Sequence, residues 1–373
     1  MTPEAFVEGL VDELLDRHDP AATAPATWWG AQYDLGLAWV HFPAGQGGVG
    51  APAPLQEVVN RRLAARGAPS NALLNFVGLG LVAPAVVSWG TEAQKRRFLR
   101  PLFTCEEVWC QLFSEPGAGS DLASLSTQAR RDGDEWVTTG HKVWTTMAHV
   151  ARWGILVART EPDRPKHQGL TFFLLDMRSE GVEISPLRQI SGEAEFSEVR
   201  LHEVRIPDSL RLGEPGAGWR VLISTLMSER AHNGELAMRR RGQGPIAQAV
   251  RLWQRQSRPD PVRKDLLMRL WVDAEVLRLT ALRADTLRRS GTPGPEGSIL
   301  KLATGQLPQR IYEFCSNLMG GQGLLISDYA MDQPEEMGVG NMGDGSEDID
   351  LTKALLNSRS ATIGGGTTEI QRN

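Results

Sequence analysis

Two places in this sequence of 373 residues combine residue types that could do chemistry. One is the run Gln111-Leu112-Phe113-Ser114-Glu115-Pro116-Gly117-Ala118-Gly119-Ser120-Asp121. It reads as a strand end entering a glycine-dense turn that carries two hydroxyls and two carboxylates. Backbone N–H groups and hydroxyls exposed at such a turn suit a polar cofactor ring. The other is Glu229, which shares a helical face with Leu222 and Leu226, an apolar stripe that should pack inward. A buried carboxylate without a partner is costly, so such a residue has either a function or an ion pair. General base is one role; an ion pair with Arg230 or with Arg239–Arg241 is the structural alternative.

A third pattern is a decoy. Gly45-Gln46-Gly47-Gly48-Val49-Gly50 satisfies G-x-G-x-x-G after a strand-like run, Leu37–Phe42. A dinucleotide site would need a second strand ending in an acid about 20 residues later, and here the chain continues through helix to residue 89. The motif therefore reads as a tight loop between helical segments.

The elements around these residues follow from periodicity. Residues 4–18, 54–66, 71–89 and 92–103 read as helices, with Leu55, Val58, Val59 and Leu63 on one face of the second. From Val108 to Leu212 short strands are predicted: 127–130 and 135–139 around the hairpin dipeptide Asp132-Gly133, then 154–158, 170–175, 182–184 and 199–204. Helical periodicity returns from Trp219, with long amphipathic stretches at 261–289 and 298–318. Helices, then strands, then helices predict an α+β chain and exclude an alternating doubly wound sheet. The acidic stretch Met331–Asp350 reads as an exposed loop. The uncharged run 67–91 is interrupted by Gly78, Gly80 and Pro84 and is too short an apolar stretch for a span, so no membrane span is expected.

Composition narrows the class further. With 40 Lys+Arg against 45 Asp+Glu the net charge is −5, which excludes a protein built mainly to grip nucleic acid. Cys105, Cys110 and Cys315 match no zinc or disulfide pattern, so no metal is expected and a reducing, cytoplasmic compartment fits. The N-terminus lacks the order of charges and apolar residues of a signal peptide.

The segment Ser114–Asp121 resembles the T/S-E-P-x-A-G-S-D signature of the acyl-CoA dehydrogenase family. The resemblance continues through Phe42-Pro43 with Gly47-Gly48, Gly90–Lys95, Trp136–Thr146, Gly213–Trp219, Asn317–Gly323 and Gly366–Arg372, in order along nearly the whole chain. It implies a helical N-terminal domain (1–108), a central β-barrel (109–213) and a C-terminal four-helix bundle (214–373), with FAD between barrel and bundles. Phe113, Ser114 and Ser120 would then lie on the isoalloxazine and pyrophosphate side, and Trp144 and Thr146 would pack and hydrogen-bond the flavin ring. Asn317, Gly321, Thr367 and Glu369 would meet the adenosine portion, partly from a neighbouring subunit. Ser120 and Arg230 would face the substrate. The implied reaction is α,β-dehydrogenation of an acyl-CoA in a homo- or heterotetramer, with electrons passed to an electron-transfer flavoprotein. For Trp144 alone, a core aromatic at a strand end is the alternative.

The sequence departs from that family in instructive ways. Many members carry the catalytic base in a terminal Y-E-G-T, where this chain has Gly364-Gly365-Gly366-Thr367. Others place it in Leu-x-x-Glu-Arg on the first bundle helix, and here Leu226-Met227-Ser228-Glu229-Arg230 matches. The R-x-x-F-G segment, whose Arg meets the FAD pyrophosphate of the adjacent subunit, corresponds to Arg255-Gln256-Ser257-Arg258-Pro259. Arg255 is thus either a phosphate ligand or an ordinary solvated arginine. Some actinobacterial relatives with Gly-Gly-Thr termini work as two-subunit complexes on bulky thioesters such as sterol side chains. A non-catalytic partner subunit and an acyl-CoA oxidase-like flavoprotein are therefore the alternative functions.

Overall fold

The computed structural model describes residues 2–236, 241–258, 260–289, 294–331, 333–334 and 349–372, without the side chains of 228–236 and 288–289. Its contacts divide the chain into two compact units. The first comprises Met1–Leu187, Glu195–Ser228 and Pro334–Met337; the second comprises Arg188–Ala194, Glu229–Gln333 and Gly338–Asn373. The loop expected at Met331–Asp350 lies almost wholly outside the described residues.

The first unit opens with helices α1 (Pro3–Arg17), α2 (Pro25–Asp34), α3 (Leu55–Ala65), α4 (Ala83–Trp89) and α5 (Glu92–Phe103). Helix α1 starts where Thr2 caps the Ala5 N–H and Pro3 needs no partner, and it buries Val7, Val11 and Leu14. A buried π-helical turn, Gly78–Val82, precedes α4, so the expected helix over 71–89 is interrupted. The expected strand at Leu37–Phe42 is instead a series of turns. Gly45, Gly47 and Gly50 all have positive φ, and a Cβ on Gly48 would stand 2.2 Å from the Phe42 carbonyl. The glycines serve a tight loop between α2 and α3, as the sequence suggests.

Eight strands follow: β1 (Trp109–Leu112), β2 (Gln128–Asp132), β3 (Glu135–Thr146), β4 (Trp153–Arg159), β5 (Leu170–Asp176), β6 (Val182–Leu187), β7 (Phe196–Pro207) and β8 (Arg211–Leu212). They form one sheet in the order β6-β7-β3-β2-β4-β5-β8, with β1 pairing parallel to β4. This corrects the expected barrel. The path ends at β6 on one side and β8 on the other, and two-residue β8 pairs only through Phe172 and Phe173 of β5. The sheet is nonetheless covered on both faces. Ile155 and Val157 of β4 join the core under the helices, while Leu156 and Ala158 face a second core with Trp136, Val199, Leu201 and Ile206. Central strands buried on both sides read as unbroken apolar runs, as in Phe172–Leu175.

Two side chains fasten the helices to the sheet, one at the strand that leads into the glycine turn and one at β8. Asn75, 1% exposed, donates to the Leu102 and Glu107 carbonyls and accepts the Trp109 N–H that starts β1. Gln94 completes a capping box with Thr91 and donates to the Ser209 and Arg211 carbonyls beside β8.

Helix α6 (Gly218–Leu236) begins in the first unit, where Val221 and Leu222 are fully buried. In the second unit α7 (Pro245–Gln254), α8 (Pro261–Arg289) and α9 (Glu296–Met319) share a core of Ile246, Ala249, Leu267, Leu270, Ile311 and Phe314. Short helices α10 (Leu351–Asn357) and α11 (Thr368–Arg372) pack on α9. A helical C-terminal unit is established; the expected count of four bundle helices is not, because among the described residues the buried cluster of that unit comes from α7, α8 and α9. Among the described residues no helix is long and apolar enough to cross a membrane.

Candidate active site

The glycine turn and the end of β3 meet in the first unit. Phe113 follows β1 and is buried edge-on against Phe172, with ring centroids 5.4 Å apart. The next carbonyl, of Ser114, accepts the Val143 N–H at 2.9 Å, which joins the turn to Lys142-Val143-Trp144. Glu115 and Ala118 exchange backbone hydrogen bonds across the turn, whereas Gly117 and Gly119 have open space where a Cβ would stand. Ser114 is half-buried and Ser120 exposed.

Strand β3 breaks its register with β7 between Lys142 and Thr145, and Trp144 sits in that bulge with φ +59°. A bulge residue in the left-handed region is normally glycine, because a Cβ there costs about 1–2 kcal/mol. The bulge turns the indole out of the sheet: Trp144 is 58% exposed and touches Phe196 edge-on at 5.9 Å. The alternative of a core aromatic is thereby set aside. Thr145 behind it is fully buried, and Thr146 is half-buried opposite Phe196. An uncovered aromatic plane beside an open turn can hold a flat heteroaromatic ring and hydrogen-bond its polar edge.

Beneath the turn lies a pair that the sequence reading passed over. Lys142 has no solvent exposure and Glu115 is 5% exposed. Lys142 Nζ donates to Glu115 Oε1 at 2.9 Å and to the Phe113 carbonyl at 3.0 Å. Glu115 also accepts the Ser126 N–H and hydroxyl and the Thr127 N–H. Burial pushes the Glu115 carboxyl up, yet Lys142 and these hydrogen bonds hold it at about 2. Burial lowers Lys142 to about 8 against the opposing pull of Glu115. Alternation along β3 does not mark the lysine: Val137 and Val143 are buried beside Thr138 and Lys142, and Trp144, two positions on, is exposed.

The second unit contains a cavity of about 690 Å³ lined by Arg251, Arg255, Gln322, Ser327 and Asp350, among others. Asp350 is already engaged there: it caps α10 through the Thr352 and Lys353 N–H groups and accepts from Ser327. Burial raises this carboxyl, but those hydrogen bonds keep it below the usual range. Arg251, Arg255 and Gln322 line the cavity beside that carboxylate. Arg255 therefore lines a cavity, while Asn317 on α9, Gly321 in the following turn and Glu369 on α11 are exposed on the same unit and do not line it. Thr367 is half-buried and its hydroxyl accepts the Ile370 N–H. The Gly-Gly-Gly turn before it places Gly365 at φ +64° and Gly366 at φ +90°. Glu229 and Arg230 lie on α6, and their side chains are outside the described residues.

Family models for the acyl-CoA dehydrogenase N-terminal, middle and C-terminal domains match residues 2–106, 110–204 and 216–373. The chain is 37% identical over 338 residues to the acyl-CoA dehydrogenase FadE34 of Mycobacterium tuberculosis, covering 90% of this chain but only 43% of that protein. It is 34% identical over 340 residues to the acyl-CoA dehydrogenase IpdE1 of the same organism, covering 91% of this chain and 83% of the relative. Among solved structures, the ChsE4-ChsE5 complex of Mycobacterium tuberculosis superposes with a TM-score of 0.71 at 25% identity, covering 99% of this chain and 93% of that one.

Proposed function

The chain belongs to the acyl-CoA dehydrogenase family, and on that premise we propose that it is an FAD-dependent enzyme that dehydrogenates an acyl-CoA thioester between Cα and Cβ, with Glu229 as the base. The observation that carries the flavin reading is Trp144, an exposed indole held on left-handed backbone beside an open glycine turn. That site fits an isoalloxazine: an aromatic plane for the ring, with Ser114, Ser120 and Thr146 to meet its polar edge and the pyrophosphate, and Phe113 backing the turn. Arg255, Asn317, Gly321, Thr367 and Glu369 would meet an adenosine portion, in part that of a neighbouring subunit.

When bound, FAD supplies a two-electron acceptor for the hydride that leaves Cβ. The chain's own work is the proton. The Glu229 carboxylate would take it from Cα while hydrogen bonds to the thioester carbonyl stabilise the developing enolate, a reaction that calls for a water-poor site to make a carboxylate basic enough. Ser120 and Arg230 would face the CoA thioester. Gly365 supports this placement of the base: it has no side chain, and its left-handed backbone would strain any L residue put there. The reading extends to electron transfer to an electron-transfer flavoprotein and to a homo- or heterotetramer. Met268, Val272, Val276, Leu279 and Leu282 leave an apolar stripe exposed along α8, which favours an assembly.

Glu229→Gln should leave a folded, yellow protein whose flavin is no longer bleached by acyl-CoA, with kcat down at least about a thousandfold for loss of the base. Full bleaching at the wild-type rate would remove Glu229 from this role. A second reading, a non-catalytic partner subunit, is favoured by Gly365 at the usual base position and by the two-component ChsE4-ChsE5 relative. Oxygen consumption with substrate would mark the oxidase-like alternative.

A further inference from the structure

We propose that Lys142 and Glu115 are positioning residues: their buried ion pair locks the β3 bulge to the glycine turn and so keeps the Trp144 indole presented as the platform for a bound ring. This rests on the flavin reading above and adds to it a device that binds no ligand itself. Stability alone does not account for the pair. A buried ion pair gains little over a well-packed apolar pair of similar volume, because desolvating both charges costs several kcal/mol. Nor does the core call for the pose of Trp144, since burying that side chain would be favourable and its backbone is strained.

The hydrogen bonds show what the pair does instead. Lys142 reaches both the Phe113 carbonyl and Glu115, and Glu115 in turn holds Ser126 and Thr127. The residue after Lys142 gives its N–H to Ser114, and the residue after that is Trp144. The strained position is thus one peptide beyond a point fixed from several directions. Residues in sparsely populated backbone regions persist only where the surroundings over-determine them, and they concentrate at functional sites. A salt bridge supplies that fixing with direction, which apolar packing does not.

The test is a double-mutant cycle in the full chain, with FAD as the titrant and the dissociation constant read from flavin fluorescence. Glu115→Gln with Lys142→Met removes both charges together, and Trp144→Gly removes the platform while relieving the left-handed strain. Each arm should weaken FAD about tenfold or more. The combined variant should bind no worse than Trp144→Gly alone, because the pair acts through Trp144. The flavin absorption band of the Gln/Met variant should match that of Trp144→Gly. Wild-type affinity in the Gln/Met variant, losses that multiply in the combined one, or a Gln/Met chain that circular dichroism shows unfolded would each overturn the proposal. The unmodified chain is titrated first; if it takes up no FAD, the flavin reading itself fails, a result separate from an additive cycle in a chain that binds.

Discussion

A lysine with no exposure and a tryptophan more than half exposed stand two positions apart on one strand, the reverse of what their polarity favours. That inversion is the signature of the site at the scale of single residues. It also governs acid stability. Glu115 titrates at about 2 in the folded chain against 4.5 for the free group, so its contribution is fully present above pH about 4.5 and is lost as the pH falls toward 2. Urea unfolding of the native chain should weaken through that window, and Glu115→Gln should flatten the dependence. At neutral pH the same single variant should cost about 3–5 kcal/mol, because it leaves Lys142 buried without its counter-charge. An unchanged midpoint at neutral pH would mean that water already reaches the pair. None of this was legible in sequence, since Glu115 and Lys142 are 27 residues apart and meet only once β1 and β3 are in place. The turn and Trp144, by contrast, carried their meaning in contiguous residues. Glu229 stands out in sequence only through its place after Leu222 and Leu226, of which Leu222 is core, and its side chain lies outside the described residues.

Among elements, those set by local rules were readable and those set by long-range pairing were not. The β2–β3 hairpin turns on Gly133-Asp134, one residue past the expected Asp132-Gly133, with Gly133 at φ +63°, and the capped α5 runs over the residues its sequence predicts. Leu37–Phe42 has the apolar content of a strand but finds no partner strand, so it folds as turns around Gly48. The sheet ends at β8 instead of closing, and a two-residue strand cannot be seen by a period-2 pattern. The start of β1 hangs on Asn75, one amide serving three backbone groups from two segments. Asn75→Ala should therefore destabilise the chain by about 2–4 kcal/mol through unpaired buried backbone groups. Thermal unfolding checks this, and a loss below about 0.5 kcal/mol would show that water replaces the amide.

For the whole molecule, the stripe on α8 is a surface that water should not keep. Val276→Asp with Leu279→Asp should lower the mass measured by light scattering to that of a smaller species without unfolding the chain; an unchanged mass would place the subunit contacts elsewhere. Order of elements and family-wide motifs made the architecture readable, whereas the acyl group, shaped by a cavity rather than a motif, was not. The most direct measurement is the visible spectrum of the chain expressed and purified alone, before and after anaerobic addition of CoA thioesters from short branched acyls to steroid side chains. A yellow protein that bleaches with at least one thioester is the expected result. A colourless protein that acquires FAD only when produced with a sister chain would contradict an enzyme complete in itself and assign this chain the partner's role.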